Sequence, residues 1–480
     1  MNEMMTTIKG KKMFIGGRWI EKSSTMDVCD PEDNSIITTV PKASKEDMLA
    51  TIKMAEEGAG IAAKMPVHER ITILNKAADY VKKYHELFAN TIASEGSKTI
   101  KEARGEVSRC IETLRLSAEE ARRINGETIP FDQMPGHENR IGYYYNFPIG
   151  IIAAITPFND PLNLVAHKIG PAIASGNAII VKPASLTPLS ALLLAEAFDD
   201  AGLPEKVLSV ITGSGSEIGD TLVTHPSIRM VSFTGGLATG ESIAKKAGLK
   251  KLSMELGSNS PVIVLDDADV DDAVNGSVSG AFGAVGQNCL GVQRIFIHDD
   301  VYVRFMDKFI QQTEQYKVGR KKDEQTDMGP LISEQEAIRV EQWVQEAINE
   351  GAELLTGGQR NGAFYEPTVL TNVPPNAKIA KEEIFGPVVI LFRICDLSDA
   401  IDQANSVNYG LQAGIFTENI HQAFEAIGSL EVGGLLINDS SDYRIDGMPF
   451  GGVKGSGLGR EGVKFSIRDM VEPKVVQFKL

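Results

Sequence analysis

Ile151-Ile152-Ala153-Ala154-Ile155-Thr156-Pro157-Phe158-Asn159 is an apolar run that stops at a proline-bearing turn. A short apolar run ended by turn chemistry reads as a buried strand. A helical stretch follows to Ala174, then a second buried run from Ala178 to Lys182. The alternation continues with helix Ser190 to Ala201, strand Val207 to Ile211 and helix Glu217 to Val223. Strand Arg229 to Phe233, helix Thr239 to Ala247 and strand Lys251 to Glu255 complete it. Strands and helices alternating at this spacing predict a parallel doubly wound sheet. Such sheets bind ligands at the carboxyl ends of their strands. Gly213, Gly215, Gly235 and Gly236 fall at those ends, where glycine lets a phosphate approach backbone amides. GxGxxG itself is absent, and Gly213 to Gly219 is only a loose relative that ordinary turns also produce.

Outward from this unit the pattern is looser. On the N-terminal side, Phe14 to Trp19 reads as a hairpin with Gly16-Gly17 at its turn. Lys45 to Ala63 and Val67 to Lys83 read as helices, and Glu86 to Glu120 as a helical region interrupted by Gly96 and Gly105. Arg140 to Phe147 is tyrosine-rich and partly alternating, as a strand on a partner surface would be. On the C-terminal side a second α/β pattern begins at Pro261. It has strands at Val262 to Leu265, Val388 to Phe392 and Ala413 to Phe416. Helices are expected at Asp269 to Phe282, Val301 to Tyr316, Ser333 to Asn349 and Ser398 to Ala404. Gly447 to Gly462 is a glycine-rich loop, and Lys474 to Leu480 reads as an edge or intersubunit strand.

The bulk properties narrow the function. A chain of 480 residues exceeds one core, so two or three domains are expected. A net charge of -16 argues against a nucleic-acid surface. No run approaches the ~18 apolar residues of a membrane span, and Met1 to Trp19 lacks a signal-peptide core. Cys29, Cys110, Cys289 and Cys395 are far apart and lack CxxC spacing. That pattern points to a reducing cytoplasm and no zinc site. The histidines show no HxxxH pairing, so no metal is expected.

Four residues could carry chemistry. Cys289 sits in the Gly286-Gln287-Asn288-Cys289 loop between a small-residue run and the apolar Ile295 to Ile297. It is either a nucleophile, which needs donors and access, or a small buried hydrophobe. Glu255 ends a strand: a general base if its setting is apolar, a solvated rim residue otherwise. Asn159 could donate to an oxyanion or cap the next helix. Lys182 could hold a ribose or phosphate, or snorkel to solvent.

Together these stretches resemble the NAD(P)-dependent aldehyde dehydrogenase family, from Phe14 to about residue 475. Six ordered motifs carry the likeness: Thr156-Pro157-Phe158-Asn159, Val181-Lys182-Pro183-Ala184-Ser185, Phe233-Thr234-Gly235-Gly236, Met254-Glu255-Leu256-Gly257, Gly286-Gln287-Asn288-Cys289 and Glu383-Ile384-Phe385-Gly386-Pro387. The resemblance implies an α/β fold. Residues 1–124 and 149–255 would be a doubly wound cofactor domain, and 256–464 a catalytic domain. Residues 125–148 and 465–480 would form a small β element that builds a homodimer or homotetramer. It implies Cys289 as nucleophile, Asn159 and the Cys289 amide as oxyanion donors, and Glu255 as the base that hydrolyses a thioester. Lys182 and Glu383 would hold the two riboses, Phe385 would pack on the nicotinamide, and Gly235 would lie by the pyrophosphate. Ile155, Thr156, Pro157 and Phe158 would line the cofactor, with Ser185 and Gly215 at its adenosine end. Phe233, Thr234, Gly236 and Leu256 would complete that lining.

Three positions depart from the family pattern. Gly236 replaces a serine, Ser258 replaces a glycine, and Ser185 stands where NAD-selective members carry glutamate. A glutamate there would repel a 2′-phosphate, so the cofactor is expected to be NAD with NADP admitted. The tail Asn438 to Lys454 is similar to lactaldehyde, phosphonoacetaldehyde and sulfolactaldehyde dehydrogenases. In that likeness Arg444 and Arg109 would contact an anionic substrate group, since guanidinium binds such groups bidentately. The alternatives are a loop or intersubunit salt bridge for Arg444 and a helix-surface pair for Arg109. A short hydroxylated or anionic aldehyde is the expected substrate. A succinate-semialdehyde or broad-range enzyme is the alternative, and a non-catalytic binding protein the second. A coenzyme-A-acylating enzyme is disfavoured by Glu255, a residue that such members lack.

Overall fold

The computed structural model describes residues 12–480. The start of the expected first domain, residues 1–11, lies outside the described residues. Two large sheets organise the chain. In the first, five strands run parallel: Leu208–Val210, Ala178–Lys182, Ile151–Ile155, Ile228–Thr234 and Lys251–Glu255, in that spatial order. Their residues are almost all buried, because helices cover both faces. The expected parallel sheet therefore forms, but antiparallel strands close both its edges. The Met13–Ile15 and Arg18–Ile20 hairpin lies on one side, and Gly457–Leu458 pairs with Met254 and Glu255 on the other. The glycine-rich stretch thus comes back from the far end of the chain to lie against Glu255.

The second sheet has seven strands, with Val292–His298 near its centre between Ser260–Val264 and Val388–Ile394. A third sheet joins Val471–Lys479 to Arg140–Pro148 and Glu127–Ile129, all antiparallel. Its Ile141, Tyr145, Val475 and Phe478 are exposed. No helix among the described residues is long and apolar enough to cross a membrane.

Two local expectations change. Gly105 does not interrupt its region: one helix runs Ile100–Ala121, and a Cβ at Gly105 would meet open space. Its start is fixed by a capping box, Thr99 with Glu102. The hairpin Thr25–Cys29 with Ile36–Pro41 was not expected, since its exposed, polar strands lack a clear apolar alternation.

Candidate active site

Glu255 stands at the carboxyl end of its strand, 2% exposed, and neither carboxylate oxygen has a partner among the described residues. Burial first, then the negative charge of Glu461, holds its pKa well above the usual carboxylate range. The apolar reading of this residue holds, and the solvated-rim reading does not.

Cys289 is partly exposed and packs against Leu290, Leu411 and Phe450. Burial pushes its thiol up to about 12; Arg444 opposes the rise, while Glu383, Glu255 and Glu461 add to it. The thiol is therefore protonated at rest, and a base is needed to make it a nucleophile. The loop before it is held in an unusual shape. Ala284, Val285 and Gly286 take consecutive left-handed φ values of 51, 61 and 64°. For the β-branched Val285 this conformation is costly, and neighbouring bonds hold it in place. Glu102 Oε1 accepts the Ala284 N–H at 2.7 Å. The Gln287 amide donates to Ser97 Oγ at 2.8 Å, and its oxygen accepts the Ile332 N–H at 3.0 Å. A Cβ at Gly286 would overlap the Gly386 carbonyl, so this loop lies directly on the Phe385-Gly386 loop.

Asn159 lies in the turn after Ile151–Ile155 and does not cap the helix Asn163–Ala174, which has no side-chain cap. Glu106 Oε1 instead accepts the Leu162 and Asn163 N–H groups at 2.8 and 3.0 Å. Neither the Asn159 amide nor the Cys289 N–H has an acceptor among the described residues. Both remain available as donors to a developing oxyanion.

The strand ends supply a second patch. Lys182 is 5% exposed, donates to the Pro183 carbonyl at 2.8 Å, and is lowered by burial to about 8. Ser185 Oγ donates to the Gly213 carbonyl at 3.0 Å, and Gly215 sits beside the Lys182 stem. Thr156 and Thr234 present buried hydroxyls without a partner among the described residues, next to Ile155 and Phe233. Gly235 presses so closely on the Phe233 ring that a Cβ there would come within 2.6 Å of it. Gly236 opens the helix Leu237–Ala247 with no capping side chain, and the next strand end leads into the buried Leu256. Glu383 accepts the Ser258 N–H at 2.9 Å and is raised by burial to about 7. Phe385 has φ 47° and meets Phe158 edge-on at 5.8 Å, beside Pro157. Two orphaned hydroxyls, an uncapped helix N-terminus and a lysine without a carboxylate partner together suit a dinucleotide.

A buried charge network beneath Glu255 was not visible in the sequence. Lys168 and Arg444 both pair with Glu461, at 3.1 and 3.0 Å. His167 Nε2 lies 2.8 Å from Asp446, which also pairs with Arg109 at 2.8 Å. Burial opposes ionisation of Glu461 and Asp446, yet these cations hold both carboxyls well below their ordinary range. At Asp446 the hydrogen bond from His167 acts first and that from Arg109 second, while His167 is itself lowered by burial. Residue spacing could not reveal these pairs, because His167 and Asp446 are 279 positions apart. Arg109 and Arg444 therefore do converge, through Asp446 and His167, but each already has a carboxylate. Arg109 also reaches Asp160 at 3.4 Å. Arg444 lies over the Phe450 ring at 3.9 Å and keeps a buried Nε with no partner among the described residues.

Known proteins carry the same organisation. Residues 19–476 match the model of the aldehyde dehydrogenase family. The aspartate-semialdehyde dehydrogenase 1 of Pseudomonas canavaninivorans is 49% identical over 94% of this chain and 96% of its own. The 3-sulfolactaldehyde dehydrogenase of Priestia aryabhattai is 44% identical over 99% of both chains. The glyceraldehyde-3-phosphate dehydrogenase GapN of Methanocaldococcus jannaschii, solved with NADP, superposes with a TM-score of 0.92. That structure is 41% identical and covers 96% of this chain and 100% of its own. A match over nearly the whole chain, on a fold whose strand ends suit a dinucleotide, makes this chain an NAD(P)-dependent member of the aldehyde dehydrogenase family.

Proposed function

We propose that the chain oxidises a short anionic or hydroxylated aldehyde to its acid through Cys289, with Arg444 reading the anionic group. The unpaired Nε of Arg444, whose charge acts on the Cys289 thiol, carries this reading. A buried guanidinium with a free donor beside a nucleophile favours a substrate bearing carboxylate, phosphate or sulfonate. The three relatives above are named for aldehydes that bear such groups.

Cys289 attacks the aldehyde carbon as an ionised Glu255, whose charge acts on the thiol, takes the thiol proton. The carbonyl oxygen becomes an oxyanion, which accepts from the Asn159 amide and the Cys289 N–H. NAD(P), when bound, supplies the hydride acceptor that turns the thiohemiacetal into a thioester. Lys182 and Glu383 hold its riboses, while Thr156, Thr234 and the Gly236 helix start line its path. Glu255, after passing that proton to solvent, takes one from water, and the hydroxide so formed attacks the thioester carbon, expels the Cys289 thiolate and frees the acid. The stretches 1–124 and 149–255 serve the cofactor and 256–464 the chemistry, while the 125–148 and 465–480 strands join copies of the chain in a homodimer or homotetramer.

A broad-range enzyme is the second reading, favoured by the prior pairing of Arg109 with Asp446 and Asp160. Steady-state kinetics with lactaldehyde, succinate semialdehyde, and sulfonated and phosphonated aldehydes separate the two. Arg444→Lys keeps the charge but loses the fork. It is expected to raise KM for the anionic aldehydes roughly tenfold, about 1.4 kcal/mol, with little change for neutral ones. An equal effect on both classes would remove the anion from the proposal. Reduction of neither cofactor by any aldehyde would remove the reaction itself.

A further inference from the structure

Arg294 and Phe296 are two residues apart on Val292–His298 and so share one face of the second sheet. Arg294 is 2% exposed and has no carboxylate partner among the described residues. It donates to the Gln403, Asn259 and Ala404 carbonyls at 3.0, 3.1 and 3.1 Å, while its Nε has no partner among the described residues. A buried charge without a counter-ion is costly, and here burial alone lowers its pKa to about 9. It borders a cavity of about 250 Å³ lined also by Phe296, Phe392, Pro375, Lys381 and Asp402. The two phenylalanine rings stack at 5.3 Å with 21° between their planes, and the guanidinium lies 5.3 Å from the Phe296 centroid. Two cations against one carboxylate leave the lining one positive charge in excess. A cavity of about 150 Å³ is enough for benzene, so this more open one has room for a single substituted ring.

We propose that this cavity is a second ligand site, separate from Cys289, which takes a small aromatic monocarboxylate. Its carboxylate pairs with Arg294 and Lys381, and its ring packs on Phe296 and Phe392. The site reaches the cofactor patch through Asn259. That residue's carbonyl accepts from Arg294, while its amide donates to the Ala380 and Glu382 carbonyls at 3.2 and 3.0 Å, just before Glu383. Fixing Arg294 therefore firms the segment that sets Glu383.

Calorimetric titration of the whole chain with benzoate, benzamide and inorganic phosphate tests this, with and without NADP. Benzoate is expected to bind one per chain, at least tenfold tighter than benzamide or phosphate. Lys381→Glu, at a partly exposed position, should weaken benzoate at least fivefold. NADP should tighten benzoate binding by the same factor as benzoate tightens NADP binding. Equal binding of benzamide, no binding of benzoate, indifference to Lys381→Glu, lack of coupling to NADP, or displacement of benzoate by the acid product of the aldehyde reaction would each overturn the proposal.

Discussion

At the residue scale, Glu255 holds the main tension of the site. As a base it must be ionised, yet burial and then the charge of Glu461 oppose its ionisation. A carboxyl whose pKa is raised on folding adds stability below its unfolded value, and that stability is lost as pH rises through the folded value. Glu255→Gln is therefore expected to raise the melting temperature relative to the parent at pH 8 and to leave it nearly unchanged at pH 4. Turnover should fall about 10²–10⁴-fold, the usual worth of a general base. A parent more stable than Glu255→Gln at pH 8 would mean that the carboxylate has a favourable partner there. Glu255, Lys182 and Glu383 were legible in the sequence because each ends an apolar run or sits in a short motif. Lys168, His167, Asp446 and Glu461 were not, because their roles come only from contacts with one another across the fold. Arg444 was legible as a candidate, but its burial over Phe450 was not.

At the element scale, the helix Ile100–Ala121 does more than fill the core. Glu102 closes its capping box through Oε2, and its other oxygen holds the Ala284 N–H of the cysteine loop. Glu102→Ala should cost about 1–2 kcal/mol of stability, as lost caps do, and should also lower kcat by releasing the left-handed turn. Asp47→Ala breaks the matching box at Lys45–Lys64 and provides the control. Chemical denaturation with parallel kinetics should show similar stability losses but a kcat loss only for Glu102→Ala. Comparable kcat values in the two variants would show that the bond to Ala284 does not hold the loop. The helices and central strands were readable because their apolar periods are long. The hairpin 25–41 and the edge strand Gly457–Leu458 are too short or too polar to declare themselves.

At the scale of the whole molecule, the exposed apolar residues of the third sheet give the proposed oligomer a place to form. Val475 is 60% exposed on an edge strand that, among the described residues, pairs only with Arg140–Pro148. Val475→Asp is expected to shift the mass seen by light scattering toward the single chain while circular dichroism stays the same. An unchanged mass would move the interface elsewhere. The α/β alternation made the fold class readable, but nothing in it announced that the last segment returns to the first sheet. That return has a consequence for how the enzyme is made. Lys168 meets Glu461 only across 293 positions. A chain emerging from the ribosome at about 5–20 residues per second therefore waits on the order of tens of seconds for that partner. Within that interval Cys289 waits 155 positions for Arg444 (444 minus 289), so a nascent chain, or one truncated before Arg444, is born without the full setting of its thiol.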